Sequence, residues 1–152
     1  MTARFTVPGE PRGKGRPRYK KIGGFVKPYT PEETASYENL IKLEYERQCG
    51  GMFFGKGEPV TMTVNAYYSI PKSTSKKKAN LMREGAVRPM KKPDADNVLK
   101  TIADAVNGIA YHDDLQVVEA HVNRFYGDVP RVEVTISPLI TVIIDTERRN
   151  DA

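Results

Sequence analysis

The stretch KPDADN, Lys92 to Asn97, places two carboxylates one residue apart at the edge of the most basic part of the chain. Clustered acids repel any polyanion that a cationic surface gathers, unless a metal ion stands between them. If Pro93 holds the segment extended, two residues of rise separate the Cα atoms of Asp94 and Asp96 by roughly 6.6 Å with both side chains on one side. Two such carboxylates can converge on one cation. Lys100 lies one helical turn beyond Asp96, about 6 Å along the axis and on the same face, whereas Asp104, at about 12 Å, suits a supporting role behind the ligands. The same residues also read as ordinary helix parts: Asp96 as a natural cap, Asp94 as a turn residue after proline, and Asp96 with Lys100 as a surface pair.

A second acidic pair, Asp113 and Asp114, stands just before the strand-like LQVVEAHV. If that strand returns beside the helix start, three or four carboxylates meet. At about 5 Å and an effective dielectric near 20, each like pair repels by roughly 3 kcal/mol, which favours a cation among them. Oxygen-only ligands select a hard divalent ion, Mg²⁺ with Mn²⁺ able to take its place.

The elements needed to position these groups follow an α/β order. Residues 3–7 form an expected strand, followed by a basic Gly/Pro loop. A helix is expected from Pro31 to about Gln48, with Thr30 as its cap and Glu33 completing a capping box. Val60 to Ile70 alternates apolar and polar residues, the period of a half-buried strand. A short basic helix or loop spans Lys72 to Lys92. Asn97 to Asn107 takes a helical period, with Leu99, Ile102, Ala103 and Val106 facing the core and Gly108 closing the helix. Residues 116–126 and 131–136 are two further strands, expected to pair as a hairpin through YGDVP. The tail PLITVIID is apolar enough for another strand or a subunit contact, and MFF, Met52 to Phe54, is a second spare apolar segment suited to a subunit contact.

Composition bounds the class. The 152 residues suit one domain able to bury a core unaided. Cys49 is the only cysteine, so no intramolecular disulfide or cysteine-based zinc site exists; this fits a reducing compartment and a cytoplasmic protein. No apolar run is long enough for a membrane span. The net charge is +5, unevenly spread. Residues 1–30 hold Arg4, Arg12, Lys14, Arg16, Arg18, Lys20, Lys21 and Lys27 against Glu10, and residues 71–92 hold Lys72, Lys76, Lys77, Lys78, Arg83, Arg88, Lys91 and Lys92 against Glu84. Each run alone could be a solvated loop. Two of them favour a polyanion, with nucleic acid ahead of an acidic membrane because neither run is an amphipathic helix. Phosphate contact is expected from Arg12, Lys14, Arg16, Arg18, Lys20, Lys76, Lys77, Lys78, Lys91 and Lys92, with Tyr19 placed to stack on a base. His112 and His121 read as exposed or packed residues.

The segment KPDADNVLKTIADAVNGIAYHDDLQVV, Lys92 to Val118, resembles the signature of the RusA family of Holliday junction resolvases: D-x-D-N-x-x-K at a helix start, D-A-x-N-G at its end, and D-D-x-Q-V at a strand start. GKGRPR and YTPEETASYENLI are similar to that family's N-terminal loop and first helix. Ala95 and Leu115 depart from the pattern at spacer positions. The resemblance implies an α/β chain of the α+β type, with a single-domain mixed sheet of about four strands and two to three helices over residues 1–137. It further implies a homodimeric, Mg²⁺-dependent endonuclease acting on four-way junction DNA, without a membrane partner. Asp94, Asp96 and Asp114 would hold the metal, Lys100 would act beside them, and Asn97, Asp104 and Asp113 would stand behind, Asp113 also reading as a turn residue. Residues 138–152 lie outside the resemblance as a tail suited to a dimer contact. A binding module without cleavage, and a metal-dependent nuclease of wider substrate range, are the other readings.

Overall fold

The computed structural model describes residues 1–15, 18–29 and 32–140, without the side chain of Arg18. Strand β1 spans Ala3–Pro8, β2 Arg18–Ile22 and β3 Phe25–Tyr29. Helix α1 runs Glu32–Cys49 and strand β4 Val60–Ser69. Helices α2 (Lys76–Arg83) and α3 (Ala95–Ala105) follow, then a single 3₁₀ turn over Asp114–Gln116, strand β5 (Val117–Gly127) and strand β6 (Arg131–Pro138).

The main sheet has the order β1-β6-β4-β5. β5 runs parallel to β4, so the chain between them must cross over, and α2 and α3 make that crossover. β6 is antiparallel to both β4 and β1. The expected β5/β6 hairpin is therefore corrected: the YGDVP link is short, but β4 lies between the two strands. Both flank β4, and β4 has the strongest alternation of the three, with every second side chain buried from Val60 to Tyr68.

One face of the sheet carries the core. Val60, Met62, Val64, Ala66 and Tyr68 of β4 align with Val132, Val134 and Ile136 of β6 and with Phe5 and Val7 of β1. They meet Tyr37, Ile41 and Tyr45 of α1 and Val98, Ile102 and Ala105 of α3. Phe5 packs edge-on to Tyr45, with ring centroids 5.3 Å apart. The other face is polar and partly solvated, as expected for a largely antiparallel sheet covered on one side. There Tyr67 stacks on Phe125, and Arg131 and Arg88 cap the two rings at 3.8 and 3.9 Å.

Two sequence expectations change. Residues 18–24, read as part of the basic loop, form an antiparallel hairpin with residues 25–29. Its two-residue turn is Gly23-Gly24 with φ of +55° and +85°, the sign that suits the twist of the flanking strands. Phe54 is fully buried and donates its N–H to Ala110 O at 2.8 Å, so MFF is not a spare apolar patch; only Phe53 of that segment is well exposed. Thr30, Pro31 and the tail beyond Ile140 lie outside the described residues, as do the cap and tail expectations that rest on them.

Candidate active site

Helix α3 starts earlier than expected. Asp94, not Asp96, is its N-cap, and Asp94 Oδ1 accepts the Asn97 N–H at 3.0 Å. Asp96 thus belongs to the first helical turn, and the two carboxylates do not leave one extended segment. The turn before the helix is held from the sheet: Tyr68 Oη donates to Pro93 O at 2.6 Å, while Arg124 donates to Lys91 O at 2.7 Å and to Pro93 O at 3.2 Å. Burial raises the Tyr68 hydroxyl's pKa, which keeps it a donor.

The helical period then does what the spacing promised. Asp96, Leu99, Lys100, Ala103 and Asp104 share one face of α3 and line a cavity of about 330 Å³. Asp114, Val117 and Ala120, from the 3₁₀ turn and the start of β5, form the opposite wall. The structure therefore brings Asp96, Lys100, Asp104 and Asp114 together, with Asp94 on the cap one residue before Ala95.

Asp114 is placed by residues to which the sequence assigned no role. Gln116 is buried and accepts the backbone N–H groups of His112 and Asp113 at 2.8 and 3.0 Å. Its amide nitrogen donates to Gly55 O at 2.8 Å, Glu58 O at 3.0 Å and Phe54 O at 3.3 Å. One side chain thereby joins the acidic turn to the loop before β4. Tyr111, fully buried, donates its hydroxyl to Ala103 O at 2.7 Å and ties the same turn to α3. The only forewarning was the Q of DDLQVV and an apolar neighbourhood around Tyr111.

Asp113 and Asp114 have different duties. Asp113 Oδ1 accepts the Leu115 N–H at 2.9 Å, and that bond holds its carboxyl below the usual range. Asp113 and His112 line a neighbouring cavity rather than the one containing Asp96, consistent with Asp113 as the turn residue. Asp114 is pushed the other way, first by burial and then by the adjacent Asp113 and Asp104 carboxylates.

The N-terminal loop reaches the same helix. Lys14 N–H donates to Asn97 Oδ1 at 3.0 Å, and Gly15 N–H donates to Thr34 Oγ1 at 3.0 Å. A Cβ at Gly13 would sit 2.8 Å from Asn97 Cγ and 3.0 Å from Pro93 Cβ, so the approach requires glycine. Asn97 holds this loop instead of facing the cavity. Lys14 Nζ lies 3.0 Å from Asp104 Oδ2 and 3.7 Å from Glu38 Oε1, and the bond to Asp104 raises its pKa. The Lys14 ammonium, expected to contact phosphate, is engaged by these two carboxylates. Arg12, Lys20, Lys76, Lys77, Lys78, Lys91 and Lys92 are exposed, whereas Arg16 and the Arg18 side chain lie outside the described residues. Lys76 to Lys78 occupy the first turn of α2, where the helix dipole disfavours cations, an arrangement that an anion would relieve.

Among the described residues, no three acidic or histidine side chains form a ready-made metal cage. The donors nonetheless fit a hard divalent ion in kind: Asp96 and Asp114 offer only oxygen, and Asp114 stands in the field of neighbouring carboxylates that a cation would neutralise. No helix among the described residues is long and apolar enough to cross a membrane.

Comparison with known proteins adds two findings. A family model described as Endodeoxyribonuclease RusA matches residues 8–137. The "Uncharacterized protein YqaN" of Bacillus subtilis (strain 168) is 39% identical over 135 residues, which cover 88% of this chain and 94% of that protein.

Proposed function

This chain belongs to the RusA endodeoxyribonuclease family, and we propose that it resolves four-way DNA junctions by divalent-metal-dependent hydrolysis of two phosphodiester bonds. The observation that carries this reading is that Asp96, Lys100 and Asp114 line one cavity, with Lys91 and Lys92 exposed just before the helix that carries the first two. Asp96 and Asp114, with Asp94 at the helix cap beside them, would hold Mg²⁺ or Mn²⁺. A bound hard ion would lower the pKa of an attacking water and neutralise charge on the scissile phosphate. Lys100, one turn from Asp96, supplies a positive charge to the pentavalent transition state. Gln116 and Tyr111 fix Asp114 before substrate arrives, and Lys14 balances Asp104 behind the reacting groups.

The active form is a symmetric dimer. A junction must be cut on two strands of like polarity, and one chain carries one such cavity, so a two-fold pair sets two cuts at a fixed separation. A protein of this activity works in the cytoplasm, where it meets DNA. The test is incubation of labelled four-way junction, matched duplex and flap with Mg²⁺, Mn²⁺ or EDTA. Junction-selective, metal-dependent cutting is expected. Equal cutting of flap or duplex would shift the reading to a nuclease of wider range, and binding without cutting would reduce it to a DNA-binding protein.

A further inference from the structure

The hairpin β2/β3 forms a two-stranded sheet of its own, separate from the main sheet. Its side chains from Tyr19 to Tyr29 are all exposed, Phe25 by 76% and Tyr19 by 70%. Residues that pair across the hairpin share a face. At the tip that pair is Ile22 with Phe25, and one step down the same face it is Lys20 with Lys27. No acidic residue occurs between Glu10 and Glu32.

A lone two-stranded hairpin is marginal in water. Here it also sets lysine opposite lysine, a pairing that opposes its own formation. Its natural partner must therefore be anionic along the stem and apolar at the tip. A second copy of this hairpin fails the first requirement, because it would bring the same positive charge. Intact duplex meets only the first, since its bases are stacked. Branched DNA meets both, because base pairs at a branch point lack a stacking neighbour on one side and so part readily for an inserted side chain.

We propose that the β2/β3 hairpin is a wedge: Phe25 and Ile22 enter the branch point against a base face, while Lys20 and Lys27 hold the flanking phosphates. This rests on the junction reading above and deepens it by naming the element that selects branched over linear DNA. The chain that leads to the hairpin is fixed a few residues before β2, where Lys14 N–H donates to Asn97 of α3 and Gly15 N–H to Thr34 of α1, and where Lys14 Nζ reaches Asp104 of the cavity wall. A five-residue strand reaches about 17 Å, enough to hold a branch point near the cavity. Apolar side chains inserted between base steps are an established way for proteins to unstack DNA.

The test uses the full chain in EDTA with an uncut four-way junction carrying 2-aminopurine beside the branch point, whose fluorescence rises on unstacking. Wild type should produce the rise. At protein concentrations that saturate the junction, the I22A/F25A double variant should lose most of it, about tenfold; its affinity should fall by about 5- to 100-fold with the loss of the stack, and its salt dependence should stay that of wild type because the lysines still hold the backbone. The K20A/K27A variant should lower the slope of log affinity against log salt by up to about 2. Junction bound by wild type with no fluorescence rise, or an equal rise with the tip variant, would overturn the wedge. Loss of dimer in sedimentation of the tip variant would also overturn it by assigning the tip to subunit contact. Wild type that fails to bind the junction at all would instead overturn the junction reading itself.

Discussion

Lys14 Nζ lies 3.0 Å from Asp104 Oδ2, across 90 residues of sequence, and joins the N-terminal loop to the wall of the acidic cavity. The pair is partly buried and has Glu38 as a third, more distant member. Its weight is electrostatic: Asp104 is one of the charges that raise Asp114's pKa, and Lys14 offsets that charge.

Removing the ammonium with Lys14→Met should lower junction cleavage by about tenfold, a loss of ~1.4 kcal/mol in transition-state stabilisation. Junction affinity should fall less than it does on neutralising Lys76, Lys77 and Lys78. The double variant Lys14→Met/Asp104→Asn should recover part of the rate, because it deletes both charges together. A Lys14→Met chain with normal turnover and weakened binding would return Lys14 to the phosphate-contact group.

The acidic residues should separate by role. Asp96→Asn and Asp114→Asn should reduce cleavage by at least about 100-fold and leave junction binding intact, since a carboxamide is nearly isosteric but a poor ligand for a hard ion. Asp94→Asn preserves the cap, so its melting temperature should match wild type, whereas Asp94→Ala should cost ~1 kcal/mol of stability. Loss of activity in Asp94→Asn with unchanged melting would make Asp94 a ligand; full activity would leave it a cap.

Asp114 should make the protein's stability depend on pH and on metal. Its folded-state pKa is raised, so its contribution is favourable below the unfolded pKa and is lost as pH rises through the folded one. At neutral pH without metal, Asp114→Asn should therefore melt higher than wild type by about 1–3 °C. Mg²⁺ should raise the melting temperature of wild type and leave the variant unmoved. Equal metal-induced shifts in both would place the ion elsewhere.

Gln116→Ala removes five hydrogen bonds that hold the acidic turn to the loop before β4. It should destabilise the fold by about 2–3 kcal/mol, or about 5–10 °C, because buried backbone groups lose their partners. Turnover should fall more than apparent substrate affinity, since the turn that carries Asp114 loosens while the basic surfaces stay in place. Unchanged melting would show that water satisfies those groups.

How much the sequence revealed depended on where the physical signal was local. β4 and α3 were legible because one face of each is buried and the other wet, which stamps periods of 2 and 3.6 on the residues. That Asp96 and Lys100 share a face followed from helical spacing and the nearness of the second acidic pair from its position, whereas the choice of Asp114 within that pair came from the family resemblance. β2 and β3 were hidden because neither shows a buried face: RYKKI and FVKPY mix basic and apolar residues without a period of 2, and only Gly23-Gly24 marked the turn. The β5/β6 pairing was misread because a short link normally joins neighbours, whereas here β4, which arrives much earlier in the chain, takes the place between them. Gln116 and Lys14 escaped for a similar reason, since their partners lie 58 to 62 and 90 residues away.

The measurement that bears most directly on the central claim is single-turnover cleavage of a supercoiled plasmid that extrudes a cruciform. With Mg²⁺, the wild-type chain should convert it to linear product through two nicks of like polarity at the branch point. Asp96→Asn and Asp114→Asn should bind the cruciform and leave it supercoiled. Linear product formed in EDTA, or formed at the wild-type rate by either variant, would contradict the assignment of the Asp96/Lys100/Asp114 cavity as the reacting site.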